Sequence, residues 1–350
     1  MGSSLSEALM LWIGESRIPV KVDRKDDLVM DSTINYYRSP QPRILYHAGK
    51  LFLDSGAFTA RQQGIELERD RVVEIQEMFM PDKAVPLDYP FASGMPVSLM
   101  AKSWKATKEN IVFWQASTKL RDRIVPVLHA WSKRSLVSNL KWLQRSANTD
   151  TIMLGSLVNP DFTDFSGFFG DRQPRKELVD MISLGIEAVR RYTSFKVHVT
   201  GFGSSPLSLH LAYYLGADST DSAGYRRKAA YGKIVLPGTG ERYVSNRCPN
   251  FGNSAIEDTL ELMWLSKCQC PICKSNPHLL IEDWKARAIH NEYVVKQEQQ
   301  RAQELLNIGE EAYEAYLERI YERSGLVHLW QYAKLRKRYV RISEALFGGR

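Results

Sequence analysis

KLFLDSGAF, residues 50–58, decides how this chain is read. An apolar run of β type stops at Asp54, and Ser55-Gly56 turn the chain into a helix-like continuation. The same punctuation recurs downstream. KAVPLDYP (83–90) ends in Asp-Tyr-Pro, RIVPVLHAW (123–131) ends in His-Ala-Trp, and TIMLGSLV (151–158) turns at Gly-Ser. FKVHVTGFG (195–203) ends in Gly-Phe-Gly, and YLGADSTDS (214–222) supplies two more aspartates. Between these runs, 67–79, 134–147 and 175–192 carry apolar residues at helical spacing. Strands alternating with helices imply a parallel sheet. Six or more such units with polar residues at strand ends predict an α/β fold, a (β/α)8 TIM-type barrel whose site gathers at the C-terminal strand ends. A doubly wound sheet is the alternative, but GFGSS (201–205) lacks the third glycine of a phosphate-binding fingerprint.

Beyond about residue 255 the pattern turns helical, over 255–266, 281–306 and 309–323. The expected organisation is an N-terminal extension over 1–40, a barrel catalytic domain over 41–250, and over 251–350 a helical region that completes the barrel and, through Cys268, Cys270, Cys273 and His290, binds zinc.

The 350 residues are 44% hydrophobic and 25% charged, as in soluble globular proteins, and could form one large domain or two. No run approaches 18 apolar residues, so no membrane span is expected. MGSSLSEALMLWIGESR has no basic leader before an apolar core, so no secretion signal is read and a cytoplasmic location is expected. The net charge of +7 favours polyanionic partners. YRRKAAYGK (225–233) carries four positive charges and KLRKRYVR (334–341) five, each either a phosphate-binding surface or a solvated helix face.

SKCQCPICKS (266–275) holds three of the four cysteines within six positions. In a cytoplasmic protein such a cluster more often holds metal than a disulfide. Cys268, Cys270 and Cys273 with His290 make a Cys3His set, which suits a closed structural Zn2+ site. His278 and Cys248 are alternatives for the fourth ligand. Four protein ligands leave no open position, so the metal would hold structure and leave the chemistry to other groups.

Asp54, Asp88 and Asp221 fall at strand ends, with Asp218 three positions before the last. An aspartate in a turn commonly caps backbone amides. Carboxylates converging on one pocket instead suit glycosidic-bond chemistry, one attacking the anomeric carbon and another managing the leaving group's proton. No serine or cysteine nucleophile motif competes.

LDSGAF, PLDYP, GFGSS followed by YYLGADSTDS, and CQCPIC followed by ARAIHN, in that order, resemble the tRNA-guanine transglycosylase superfamily. The likeness runs over about 44–300 and looks closest to the branch that inserts 7-deazaguanine bases into DNA. It implies Asp221 as nucleophile, with Asp218 supporting it, and Asp54 as general acid/base. It further implies Asp88 reading the base edge, Ser55 and His129 lining the base pocket, and Gly155 and Gly201 presenting backbone donors there. Arg226, Arg227 and Lys228 would hold phosphates. The implied reaction exchanges guanine in double-stranded or locally opened DNA for a 7-deazaguanine such as 7-cyano-7-deazaguanine. It would proceed through a covalent aspartyl-glycosyl intermediate on an extruded nucleotide. An ATPase-type partner protein and a homodimer are further implications.

Departures from the pattern favour DNA over tRNA. Ala57 replaces the family's second glycine and Thr59 its glutamine. SAGYRRKAAYG (222–232) stands where the tRNA enzymes carry Cys-x-x-Pro-Thr-Arg. The sequence also ends without the extra RNA-binding domain of the archaeal relatives. The alternatives are a tRNA-guanine transglycosylase and a non-catalytic, zinc-stabilised nucleic-acid-binding protein.

Overall fold

The computed structural model describes residues 8–21, 23–39, 47–92, 94–157, 176–238, 240–244 and 259–347. In chain order the elements begin with β1 (Met10–Gly14), β2 (Asp23–Ser32), β3 (His47–Asp54), α1 (Ala57–Gln62), α2 (Arg69–Phe79), β4 (Lys83–Ala84) and α3 (Val97–Ser117). They continue with β5 (Val127–Ala130), α4 (Lys133–Ser146), β6 (Thr151–Leu157), α5 (Lys176–Tyr192), β7 (Lys196–Val199), α6 (Pro206–Tyr214), β8 (Ser219–Ser222) and α7 (Gly224–Ala230). The last are β9 (Lys233–Val235), β10 (Glu241–Tyr243), α8 (Thr259–Lys267), α9 (Pro271–Ser275), α10 (Leu279–Glu282), α11 (Trp284–Ile308), α12 (Glu310–Glu322) and α13 (Val327–Phe347). Two compact units result, Gly14–Thr200, and Met1–Ile13 with Gly201–Arg350.

In the Gly14–Thr200 unit, β3 pairs in parallel with β2 and β4, and β6 with β5 and β7. A parallel bridge from Ala84 to Ile124 links the two triplets. The strands supply a core of Val29, Phe52, Leu53, Leu128, Ile152 and Val197, all 0–1% exposed. Near-continuous apolar runs such as TIML are what parallel strands covered on both faces require. Helix α4 starts where Ser132 and Ser135 cap each other's backbone N–H groups, a capping box written in the sequence WSKRS.

In the other unit, β1 pairs in parallel with β8, Trp12 lying level with Asp221. Helix α6 opens with a second capping box, Ser205 with Ser208, and Pro206 in its first turn. Helix α11, with Val294 and Val295 buried on it, packs against α7 and α12, where Tyr225, Tyr313 and Leu317 are buried. A smaller core of Ile234, Leu236 and Leu280 sits beneath Leu265, Ile272 and Cys273.

The class is the α/β fold of parallel strands and intervening helices that the strand ends predict, with a helical C-terminal region carrying the Cys3His group. Helices α2, α4, α5, α8, α11 and α12 match the predicted helical stretches within a few residues. Two strands, β1 and β2, lie inside the segment read as an N-terminal extension. The first five residues of β2, DRKDD, are all charged, which hides it from hydropathy. Arg24 is nevertheless 1% exposed, because Glu15 and Asp27 both pair with its guanidinium. The basic stretch 334–341 is part of α13, and two of its charges are engaged. Lys334 pairs with Glu318, and Lys337 pairs with Glu310 and lies 4.1 Å from the Tyr214 ring centroid.

Candidate functional site

Asp54 closes β3, and one of its carboxylate oxygens, Oδ2, accepts the Gly56 N–H at 2.9 Å and the Ser32 hydroxyl at 3.2 Å. This is the aspartate-capped turn of Asp-Ser-Gly sequences. Position 56 requires glycine: φ is +80°, and a Cβ there would lie 2.7 Å from the Ile34 Cβ. The turn aims Ser55 inward, at 1% exposure, where its hydroxyl donates to Asp88 Oδ1 at 2.8 Å.

Asp88 lies beyond β4, in a segment whose Val85 N–H still donates to the Leu53 carbonyl of β3 at 2.9 Å. Side chains satisfy much of the backbone that follows. Gln76 donates to the Val85 carbonyl at 2.8 Å and Asn110 to the Leu87 carbonyl at 2.7 Å. The Tyr89 and Phe91 N–H groups donate to the Thr107 and Ser156 hydroxyls at 3.1 and 3.0 Å. The carboxylate is thereby fixed at 8% exposure, with Oδ2 3.0 Å from His129 Nε2. His129, on β5, is 1% exposed, and its Nδ1 accepts the Ser156 N–H at 2.9 Å. Gly155 lies under the ring; a Cβ there would meet His129 Nδ1 at 2.7 Å and Val127 Cγ1 at 2.4 Å. The fold therefore brings Ser55, Asp88, His129 and Gly155 together, and adds Ser156, which the sequence did not single out.

In the Gly201–Arg350 part of the chain, Asp221 sits near the end of β8 and its Oδ1 accepts the Gly201 N–H at 2.7 Å. Gly201 has φ +78°, and the loop passes so close that a Cβ on Gly203 would be 2.7 Å from the Asp221 carbonyl oxygen. Asp218 precedes the strand and accepts the Met10 N–H on its backbone carbonyl at 3.0 Å. Arg226, half-buried, and Arg227, exposed, lie on α7. Lys228 turns toward the fold: its ammonium donates to the Ser204 carbonyl and pairs with Glu241, each at 2.7 Å. Burial holds that ammonium below the usual lysine range, with Glu241 acting against it. Burial raises the Glu241 carboxyl, but Lys228 and Lys233 outweigh it and bring it down to about 2.

The ligating atoms of Cys268, Cys270, Cys273 and His290 all lie within 4.8 Å of one another. The three Sγ atoms are 3.6, 3.5 and 3.4 Å from His290 Nδ1. A tetrahedral zinc centre with ordinary Zn–S and Zn–N bonds has an S···N edge of about 3.6 Å, so this group could bind zinc. The opposite ring nitrogen, Nε2, donates to the Val235 carbonyl at 3.0 Å, fixing the tautomer that leaves Nδ1 free to ligate. Cys270 caps α9, its sulfur accepting the Cys273 N–H at 3.2 Å. His278 is exposed and outside the group, and Cys248 falls outside the described residues.

Two neighbours of His290 on α11 went unread in the sequence. Arg287, 4% exposed, donates to the carbonyls of Ala229, Leu280 and Ile281 at 2.7–3.1 Å. Asn291 accepts the Val235 N–H at 2.7 Å and donates to the carbonyls of Tyr225 and Lys233. One face of α11, ARAIHN, thus clasps α7, β9 and the metal knuckle together. No helix among the described residues is long and apolar enough to cross a membrane.

No family model matches the chain. Against curated proteins it is 24% identical over 281 residues to the tRNA-guanine(15) transglycosylase of Thermococcus onnurineus, covering 77% of this chain and 42% of that protein. It is 27% identical over 282 residues to the enzyme of the same name from Pyrococcus furiosus, with the same coverage. With the Thermococcus kodakarensis enzyme of that name it shares 24% over 306 residues, 81% of this chain and 46% of that one. The chain spans less than half the length of these relatives. All three of these relatives are named for tRNA. At this low identity, the similarity supports the tRNA-guanine transglycosylase superfamily that the order of motifs suggested.

Proposed function

We propose that this chain is a guanine transglycosylase, a pentosyltransferase that exchanges a guanine in nucleic acid for a free base of guanine type. The observation that carries the reading is the placement of three aspartates. Asp54 closes β3, Asp88 follows β4 and Asp221 lies near the end of β8, each held by donors of its own surroundings. That is where (β/α)8-type enzymes keep their catalytic groups.

In the reaction, an Asp221 carboxylate oxygen attacks the sugar C1′ and the bond from C1′ to the guanine nitrogen breaks. Its electron pair leaves with the base, which takes a proton from Asp54. The incoming base then gives its ring N–H proton to Asp54, and its nitrogen attacks C1′ and expels Asp221. Two inversions give net retention. Asp88 accepts hydrogen bonds from the base in both halves of the exchange. The Gly201 amide orients Asp221 for attack. Arg226 and Arg227 serve phosphates, whereas the Lys228 charge is engaged with Glu241. Zinc on Cys268, Cys270, Cys273 and His290 is structural, because the chain itself fills all four positions.

tRNA is the substrate taken first, because the relatives are named for it. DNA, with a 7-deazaguanine as the incoming base, is the second reading. Its support is the helix α7, GYRRKAA, standing where the tRNA enzymes carry their Cys-x-x-Pro-Thr-Arg stretch.

The test supplies labelled guanine with tRNA or with DNA and counts label in the isolated nucleosides. Label in tRNA that disappears in Asp221→Ala, by at least about a thousandfold, is expected from loss of the nucleophile. Label in DNA alone overturns the tRNA reading, and label in neither overturns the activity.

A further inference from the structure

The cluster around Asp88 leaves His129 no atom for a ligand. The Ser156 N–H donates to Nδ1 at 2.9 Å, and a nitrogen that accepts carries no proton. The ring proton is therefore on Nε2, 3.0 Å from Asp88 Oδ2. Both ring nitrogens are used, and the ring is 1% exposed. Phe91 and Trp104 flank it at 5.2 and 6.4 Å between centroids, and Asn139 donates to its backbone carbonyl at 2.8 Å. Asp88 receives a second donor, the Ser55 hydroxyl, on its other oxygen. Each carboxylate oxygen has two lone pairs and has spent one, so one acceptor direction remains on each.

We infer that His129 is a positioning residue, which acts through Asp88 and does not contact the base. Its Nε2–H and the Ser55 hydroxyl pin the carboxylate as an acceptor of two adjacent N–H groups. The chemistry that fits is a cyclic guanidine edge, the ring N–H and exocyclic amine that guanine and 7-deazaguanines share. Bases with a carbonyl or a bare ring nitrogen at that edge would face the carboxylate with lone pairs and are refused. This substrate class rests on the transglycosylase reading; the histidine's tautomer and its coupling to Asp88 do not.

The experiment labels the histidines with 15N and reads two-bond 1H–15N spectra of the whole chain at neutral pH, assigning His129 by the signal that His129→Gln removes. An unprotonated Nδ1 and a protonated Nε2 are expected, with Nε2 shifting in Asp88→Asn. A protonated Nδ1, or a ring carrying both protons, overturns the inference whatever the protein's activity. With guanine as the probe, His129→Ala is expected to raise KM for the base about 10- to 100-fold, the loss of one charge-assisted hydrogen bond, with little change in kcat. Gln places an amide N–H at the reach of Nε2, so His129→Gln stays within about threefold of wild type. A Gln variant as weak as the Ala variant reduces His129 to core packing and overturns its role. No guanine binding by wild type, with the tautomer as expected, fells the transglycosylase reading and the substrate class while leaving the His129–Asp88 coupling intact.

Discussion

The metal centre and the Asp88 cluster are both buried polar constellations, but they are assembled by opposite means. Three of the four metal donors come from six consecutive positions, and one helical turn of ARAIHN brings the fourth with its supporting residues. The Asp88 cluster draws Ser55, Asp88, His129 and Ser156 from four separate strand ends. A local knot needs only its own ion to close, whereas a topological one exists only once the sheet has formed. Their failure modes should differ accordingly.

The largest effect is expected at the metal. Cys270→Ser replaces the fully buried sulfur, and bound zinc should fall from one ion per chain to a small fraction. Structural zinc sites contribute on the order of 10 kcal/mol or more to folding, so the segment from β9 to α11 should lose its cooperative melting in the variant or under chelator. Unchanged zinc content and melting temperature would show that the thiols are unliganded. Asp88→Asn is the contrast: zinc content stays at one, and only base binding suffers.

The same contrast explains what was legible. Cysteine spacing announced the knuckle, and apolar runs ending in Asp-Ser-Gly or Gly-Ser announced the parallel strands. His129 could be placed near a base pocket by resemblance, but its proton could not. The tautomer depends on an amide 27 positions downstream and a carboxylate 41 positions upstream. Asp88 itself was legible as a residue after a strand, whereas the side chains of Gln76, Thr107, Asn110 and Ser156 that hold its segment carry no pattern of their own. Strand β2 was missed because Arg24 is buried by pairing with Glu15 and Asp27, against the usual sense of a charged run. The basic stretch 334–341 left a phosphate-binding surface and a solvated helix face equally open, and Lys334 and Lys337 are tied to Glu318 and Glu310 within the helical region.

A middle-sized effect probes the topological cluster without touching its polar atoms. Gly155→Ala places a methyl 2.6 Å from His129 Cε1 and 2.4 Å from Val127 Cγ1, both side chains inside a packed core. Overpacking of this kind costs about 1–3 kcal/mol, read as a lower urea midpoint at unchanged slope. The ring must tilt to relieve it, so the Nε2–H signal should move and base KM should rise. A variant as stable as wild type with His129 unshifted would mean the ring has slack, and the cluster would be looser than its distances indicate.

The smallest effect lies on the metal side, where a paired carboxylate is neither knot nor strand end. Glu241 on β10 pairs with Lys228 and Lys233, and its carboxyl is lowered from its ordinary 4.5 to about 2. A depressed folded-state value stabilises the fold above the unfolded-state value and is lost as pH falls, here between about 4.5 and 2. The side chain is 34% exposed, so solvent screening reduces the contribution to about 1 kcal/mol. Wild type and Glu241→Gln should differ by that amount at pH 6 and converge toward pH 2, and added salt should shrink the gap. Metal ligands also protonate in acid, but that loss is common to both proteins and cancels in the difference. Parallel curves down to pH 2 would show that Lys228 is not held by Glu241, and would return its charge to the surface that α7 offers to phosphates.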